Sequence, residues 1–356
     1  MHSVLRVAIA LEQNWNTVPG GTAISTNRLA SSLVAANEVT PLGFFGKHHS
    51  PPTVPLPDID VIQLPWPGRL MQQAWSRGQL PSIDNSVAAD VVHAPTYVLP
   101  GTRRPLVVTL HDLAFLHHPE WFTPNGVRFL KRSLEATRER AHAVIVPSPH
   151  TAHDCIEAGI DESFVHVVPW GVDLTRPSET VIAEVQGRLG IRRGGVVFVG
   201  TREPRKNLES LVRAMKKLPH VPFTVIGPRG WGQVDTGHAH LTGRLSDSEV
   251  AALVAGADVL VYPSYFEGFG LPVLEAMAVG TPAIVTAGTS TEWLSGEAGV
   301  AVDTTQTDEI VDALLSLLGN YEQLTHLGMV GRQRAATFSW PAAAGRTASV
   351  YRQVAS

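Results

Sequence analysis

The sequence predicts an α/β protein built as two doubly wound domains in series. Three observations carry the prediction. The chain has 356 residues, more than one ordinary domain accommodates. Short, β-branched, apolar runs recur along it, and segments of helical period fall between them. The stretch VPWGVDLTRPSET, rich in Pro, Gly and Thr, separates two such β/α series and marks the seam.

In the first series the apolar runs are VLRVAIAL (4–11), VIQL (61–64), DVVHAP (90–95), PLVVTL (105–110), AVIVPS (143–148) and VHVVPWG (165–171). In the second they are GVVFVG (195–200), PFTVIG (222–227), ADVLVYPS (257–264) and TPAIVTAG (281–288). Runs that are apolar along their whole length are expected for parallel strands buried on both faces. Helices are expected over NRLASSLVAA (27–36), RFLKRSLEATRERA (128–141), LESLVRAMKKL (208–218), SDSEVAALVAGA (246–257) and TDEIVDALLSLLG (307–319). The last segment, from Ser339 to Ala355, has no following strand, and a helix docking back on the first domain is expected there. The expected domains are 1–172 and 173–338, with 339–356 as that returning helix. No close sequence repeat and no low-complexity tract is evident.

Composition excludes several classes. Hydrophobic residues make up 44% and charged residues 17%, enough for two cores and too little charge for a disordered chain. A net charge of −4 gives no global pull toward nucleic acid or anionic lipid. One cysteine, Cys155, rules out an internal disulfide and a cysteine-rich metal site, and fits a cytosolic setting. The N-terminus lacks the basic region, longer apolar core and small-residue cleavage site of a signal peptide, so VLRVAIAL reads as a buried first strand. No run of about 18 apolar residues marks a transmembrane helix.

The stretch EGFGLPVLE (267–275) carries the most chemistry. It follows the strand ADVLVYPS. Pro272 suits the first turn of a helix, where its missing N–H costs nothing, and Gly280 is a natural stop for that helix. Glu267 then lies on the loop beyond the strand's carboxyl end, and Glu275 one turn inside the helix. Gly268 and Gly270 keep the loop free of side chains, so its N–H groups and the helix N-terminus can approach an anion. A carboxylate on each side can take hydrogen bonds from hydroxyls. The pattern suits a ligand with phosphates in its middle and hydroxyls at both ends, as a sugar nucleotide has. The bland alternative is a tight loop with two solvated acids.

In GTREPRKN (200–207), Arg205 and Lys206 occupy another strand-to-helix turn, where two cations can neutralise a diphosphate; a solvated basic turn is the alternative. TLHDL ends a first-domain strand with His111, which can donate to a sugar or phosphate or be an ordinary polar residue. Asp112 either orients it or caps the following turn. His117 and His118 follow, but no acid spacing supports a metal site. In NTVPGGTAIS (16–25), Gly20 and Gly21 precede a helix, as a phosphate-facing loop or a plain turn. The segment lacks G-x-G-x-x-G, which argues against a dinucleotide-binding dehydrogenase. The helix 128–141 carries Lys131, Arg132, Arg138 and Arg140, for either an anionic membrane surface or a solvated face. Glu135 and Glu139 dilute the charge, and Glu135 can pair with Arg132 or Arg138.

YPSYFEGFGLPVLEAMAVGTPAIVTAG contains an E-x7-E signature and resembles the retaining glycosyltransferases of family 4. The resemblance extends to VGTREPRKNLESLVRAM, VVHAPTYVLP, VVTLHDLAFLHHPEWF and VVPWGVD, covering nearly the whole chain. It implies the GT-B architecture, two Rossmann-like doubly wound domains facing a central cleft. It also implies a metal-independent transfer of a hexose from a nucleotide sugar, with no cofactor.

The resemblance assigns ribose hydroxyls to Glu275 and sugar hydroxyls to Glu267. Backbone at Phe269, Gly270 and Leu271 would serve the sugar and diphosphate, and backbone near Gly243, Arg244 and Leu245 the base. His111 would lie against the donor sugar, and the loop of Gly20 and Gly21 near the donor phosphate and the acceptor. Many relatives have an Arg directly after the strand's glycine; this chain has Thr201 there and Arg202 one place later. Lys206 and Arg205 are therefore favoured over Arg202 as phosphate ligands. EPRKN with HDLAFLHHPEWF is most similar to bacterial mannosyl- and rhamnosyltransferases of surface polysaccharides, which favours GDP-mannose as donor and a glycan or lipid-linked acceptor. The expected location is cytoplasmic, with peripheral contact at the inner membrane face as a further reading. A sugar-nucleotide epimerase or hydrolase of the same fold, or a non-catalytic regulator, are the alternatives.

Overall fold

The computed structural model describes residues 4–16, 20–230 and 235–356. It divides into two compact units, Met1–Gly171 with Ser339–Ser356, and Val172–Phe338.

In the first unit, β1 (Arg6–Ala10), β2 (Thr40–Lys47), β3 (Asp60–Pro67), β4 (Val91–Ala94), β5 (Leu106–Thr109), β6 (Ala143–Val146) and β7 (Val165–Val167) form a parallel sheet in the order β3-β2-β1-β4-β5-β6-β7. Its helices are α1 (Gly20–Ala36), α2 (Gly68–Trp75), α3 (Ala114–His117), α4 (Pro124–Arg140) and α5 (Pro149–Glu157). In the second unit, β8 (Val196–Val199), β9 (Phe223–Ile226), β10 (His240–Gly243), β11 (Val259–Tyr262), β12 (Ala283–Thr286) and β13 (Gly299–Val302) form a parallel sheet in the order β10-β9-β8-β11-β12-β13. Its helices are α6 (Glu179–Leu189), α7 (Leu208–Lys217), α8 (Asp247–Ala255), α9 (Leu271–Val279), α10 (Ser290–Ser295), α11 (Thr307–Leu318) and α12 (Tyr321–Ala335). The final helix, α13 (Trp340–Ala355), belongs to the first unit and packs along α1.

The central strands β4, β5, β6, β9 and β11 are buried throughout, as their predominantly apolar runs require. Three strands escaped the sequence reading. TPLGFFGK (β2) is interrupted by Pro41 and Gly43, and HLTG (β10) and GVAV (β13) are short and only partly buried edge strands. Helix α1 starts at Gly20, seven residues before the expected start, so Gly20 and Gly21 form its first turn instead of preceding it. Residues 17–19 of that glycine loop lie outside the described residues.

Helix α13 is keyed into the first unit by a buried polar contact. The Tyr351 hydroxyl meets Nδ1 of His93 at 2.7 Å, and Nε2 of His93 meets the Thr109 hydroxyl at 2.8 Å. Burial, with His111 nearby, drives His93 down to about 3, so the ring is neutral and both contacts hold at physiological pH. No helix among the described residues is long and apolar enough to cross a membrane.

Candidate active site

In the second unit the chain builds β8, β9 and β10 outward on one side. It then returns to place β11 on the other side of β8. The connections beyond β8 and β11 therefore diverge from a topological switch point, where open α/β sheets leave a crevice for ligands. Those two connections are GTREPRKN and PSYFEGFG. Their backbones are joined by Tyr265 N–H donating to the Arg205 carbonyl at 3.0 Å.

Arg205, Lys206 and Glu267 meet there in one cluster. The Lys206 ammonium donates to Glu267 Oε1 at 2.6 Å and to the Tyr262 hydroxyl at 2.5 Å. Tyr262 in turn donates to the same Glu267 oxygen at 3.2 Å. The other Glu267 oxygen takes Arg205 Nη1 at 3.0 Å. Arg205 also donates to the Phe266 carbonyl at 3.0 Å and, through Nε and Nη2, to Glu203 at 3.1 and 2.9 Å. Lys206 and Glu267 side chains are each only 10% exposed. Burial opposes ionisation of Glu267 most strongly, but Arg205 and Lys206 together outweigh it and hold the carboxyl at about 2. Burial pulls Lys206 below its usual range, against the attraction of Glu267.

Local backbone fixes this cluster. Pro204–Lys206 forms a single 3-10 turn, closed by Asn207 at φ +50. Asn207 tolerates that left-handed conformation, and its side chain is anchored to the Thr304 carbonyl at 3.1 Å. The Glu267 carbonyl accepts from the Ser290 hydroxyl at 2.7 Å.

Gly268, Phe269 and Gly270 lead from Glu267 into α9. Gly270 has φ +103, and a Cβ there would sit 2.7 Å from the Thr291 methyl, so only glycine fits. Leu271 opens α9, Pro272 occupies its first turn, and Gly280 ends it at φ +80. The Leu271 N–H has no acceptor within the helix, because it belongs to the first turn.

Glu275 projects from the second turn of α9. It is partly exposed, and among the described residues no donor bonds its carboxyl. Burial, with Asp247 adding a like charge, raises it to about 7. Gly243, at φ +71, ends β10, and Arg244 and Leu245 lead into α8, which Ser246 and Glu249 close with a capping box. Asp247, the first residue of α8, links this segment to Glu275 electrostatically.

His111, Gly20 and Gly21 belong to the first unit. His111 Nε2 lies 3.0 Å from the Pro95 carbonyl, which only accepts. That nitrogen therefore carries the proton. Burial lowers the ring's pKa, so Nδ1 keeps a lone pair at neutral pH. The side chain offers an acceptor, where a donor was expected. Asp112 caps the following turn, taking the Ala114 N–H at 3.0 Å. The His111 ring packs on Trp170, which stacks on Trp340 of α13.

His117 pairs with Asp154 and His118 with Glu120. Among the described residues no group of three or more His, Cys, Asp or Glu can hold a metal ion. On α4, Arg138 pairs with Glu135 and Arg140 bonds the Pro100 carbonyl, while Lys131 and Arg132 are exposed.

Three members of the site were not singled out from sequence. Glu203 sits inside EPRKN as an acid beside two cations, Tyr262 is a polar ending to a buried strand, and Asp247 lies in the SDSE capping sequence. Each had a local signal, but their partners are distant in the chain.

Residues 19–176 match the model described as Glycosyltransferase Family 4, and residues 193–320 match Glycosyl transferases group 1. The chain is 27% identical over 281 residues to the O-antigen chain mannosyltransferase B of Escherichia coli, covering 74% of each. It is 29% identical over 300 residues to the MMP alpha-(1->4)-mannosyltransferase of Mycolicibacterium hassiacum, covering 74% of this chain and 70% of that one. Among solved structures, sucrose-phosphate synthase from Thermosynechococcus elongatus superposes with a TM-score of 0.77 at 21% identity, over 98% of both chains. The chain belongs to the family-4 glycosyltransferases and has their GT-B fold; it is a glycosyltransferase enzyme.

Proposed function

We propose that the protein transfers a hexose, mannose in the favoured reading, from a nucleoside diphosphate sugar to a hydroxyl of a glycan or lipid-linked acceptor, with retention of configuration. The observation that carries this is the pair of carboxyls flanking the glycine loop. Glu267 is ionised and clamped at the switch point, and Glu275 has no donor of its own and a raised pKa. Ribose hydroxyls donating to Glu275 would stabilise its carboxylate, while Glu267 would bind hydroxyls of the transferred sugar. The two mannosyltransferase relatives support mannose, and GDP-mannose is the first donor to try.

In the reaction, the bond between the sugar's anomeric carbon and the diphosphate oxygen breaks. A bond from the same carbon to the acceptor oxygen forms on the same face. The acceptor's proton passes to the departing phosphate. The N–H groups at the start of α9 and the cationic loop after β8 stabilise the charge that develops there, and one well-placed donor contributes roughly 3 kcal/mol. In the first unit, the neutral His111 ring offers Nδ1 as an acceptor for a substrate hydroxyl. In this reading no metal takes part.

The test is calorimetric binding of GDP, UDP, dTDP and ADP in EDTA, followed by NMR of the product formed from GDP-mannose. A preferred diphosphate, and a product keeping the donor's anomeric configuration, are expected. Failure of all four diphosphates to bind refutes the donor site, and an inverted product refutes retention.

A further inference from the structure

VVPWGVD (167–173) leaves β7 and carries Trp170. Trp170 is 4% exposed, and its ring lies 5.7 Å from that of His111, tilted by 43°. Both residues belong to the first unit.

Backbone alone does not decide where Nδ1 of His111 points. The main chain around it is pinned. Leu110 N–H donates to the Ile145 carbonyl at 3.0 Å, the Tyr97 hydroxyl donates to the Asp112 carbonyl, and the Asp112 side chain takes the Ala114 N–H. The ring is freer, because the outer torsion of a histidine is broad and roughly two-fold. Its one bond, from Nε2 to the Pro95 carbonyl at 3.0 Å, fixes one atom and tolerates tilting of the ring. A half-turn would exchange Nδ1 with a ring carbon and remove the acceptor. A flat side chain packed against the ring opposes both movements.

Trp170 is built as such a stop. Val168 N–H donates to the Val146 carbonyl at 2.8 Å, which keeps the chain on β6 almost up to this residue. Gly171 then lies against the first residue of α13, where a Cβ on it would sit 2.1 Å from the Trp340 nitrogen. That approach brings Trp340, 3% exposed, onto Trp170, with ring centroids 6.2 Å apart and planes 23° from parallel. Two buried, stacked indoles have little room to change rotamer.

We propose that Trp170 is a positioning residue, holding the His111 ring so that Nδ1 faces the substrate hydroxyl. This rests on the reading of His111 given above. Trp170 acts through the histidine and touches no substrate itself.

The test uses the full chain, GDP-mannose, and long-range nitrogen–proton NMR of the histidine rings, with His111 assigned by its loss in His111→Ala. Wild type should show His111 as one tautomer, protonated on Nε2. Trp170→Met fills much of the same space without a flat face. It should mix the two His111 tautomers and lower kcat roughly 10- to 100-fold, as a misplaced reacting group does. Diphosphate affinity, which the second unit supplies in this reading, should stay within about threefold. Trp170→Phe keeps a flat face and should recover most of the loss. Added to His111→Ala, the Trp170→Met change should cost little more, because both act through one ring. A folded Trp170→Met protein with the wild-type His111 spectrum, or with losses that add to those of His111→Ala, overturns the inference and leaves His111 in its role. If Trp170→Met does not fold, the Trp170→Phe spectrum decides: shifted His111 ring protons uphold the inference and unchanged ones overturn it. The spectra need no substrate, so they decide for Trp170 whichever donor the protein takes. Normal turnover in His111→Ala removes the role given to His111, and the inference with it.

Discussion

Replacing Glu275 by Gln tests the site through stability and binding at once. The Glu275 carboxyl moves from 4.5 to about 7 on folding, chiefly through burial and secondarily through Asp247. A carboxyl whose folded pKa is raised binds its proton more tightly in the native state. It therefore imposes no penalty below about pH 4.5, a growing one as pH rises toward 7, and its full penalty above that. The shift sets a ceiling of roughly 3 kcal/mol, and the side chain's remaining contact with water reduces this to about 1–2 kcal/mol. Gln has the same shape and no charge to desolvate. The variant should melt with the wild type near pH 4.5 and about 2–6 °C above it at pH 8, for the transition that includes the second unit. Its diphosphate affinity should fall about tenfold, because an amide oxygen replaces a carboxylate as acceptor for ribose hydroxyls. Wild-type binding at pH 7 should also release protons, read by calorimetry in buffers of different ionisation enthalpy. A Gln variant no more stable than wild type at pH 8, together with binding that releases no protons, would refute the reasoning.

Three further outcomes are expected. Glu267→Gln should lower turnover about 100-fold while nucleotide affinity stays within about threefold, measured by steady-state kinetics beside calorimetry; near-normal turnover removes Glu267 from the reaction. Lys206→Met should cost about 3–5 kcal/mol in denaturant unfolding, since it strips the buried Glu267 of a partner, and a loss below about 1 kcal/mol would mean that the pair is solvated. Tyr351→Phe should cost about 1 kcal/mol, the worth of its bond to His93, and leave turnover intact; a large loss of turnover would give α13 a part in catalysis.

Some of this was determined by the sequence alone, because the causes are local. A run such as the LVV of PLVVTL or the VLV of ADVLVYPS is apolar on both faces and has no polar face to offer, so a buried parallel strand is the regular element that suits its length. Pro272 and Gly280 fix the ends of α9 by their own backbone limits, whatever the rest of the chain does. The placement of Glu267 on a loop and Glu275 inside a helix follows from those two residues. Edge strands were harder to see. HLTG and GVAV bury little, and burial is what makes a strand legible.

Tertiary structure decided the partners. Arg205 and Lys206 lie some 60 positions from Glu267 and become its ion-pair partners because β8 and β11 are neighbours at the switch point. Periodicity reports which face of an element is apolar, not which strand lies beside which. Charge state followed the same rule. Two glutamates of one motif, eight positions apart, end with carboxyls at about 2 and about 7. One is enclosed by two cations, and the other is withdrawn from water beside the like charge of Asp247. Proton affinity is set by what surrounds a group in space, and that neighbourhood exists only once the sheet has formed.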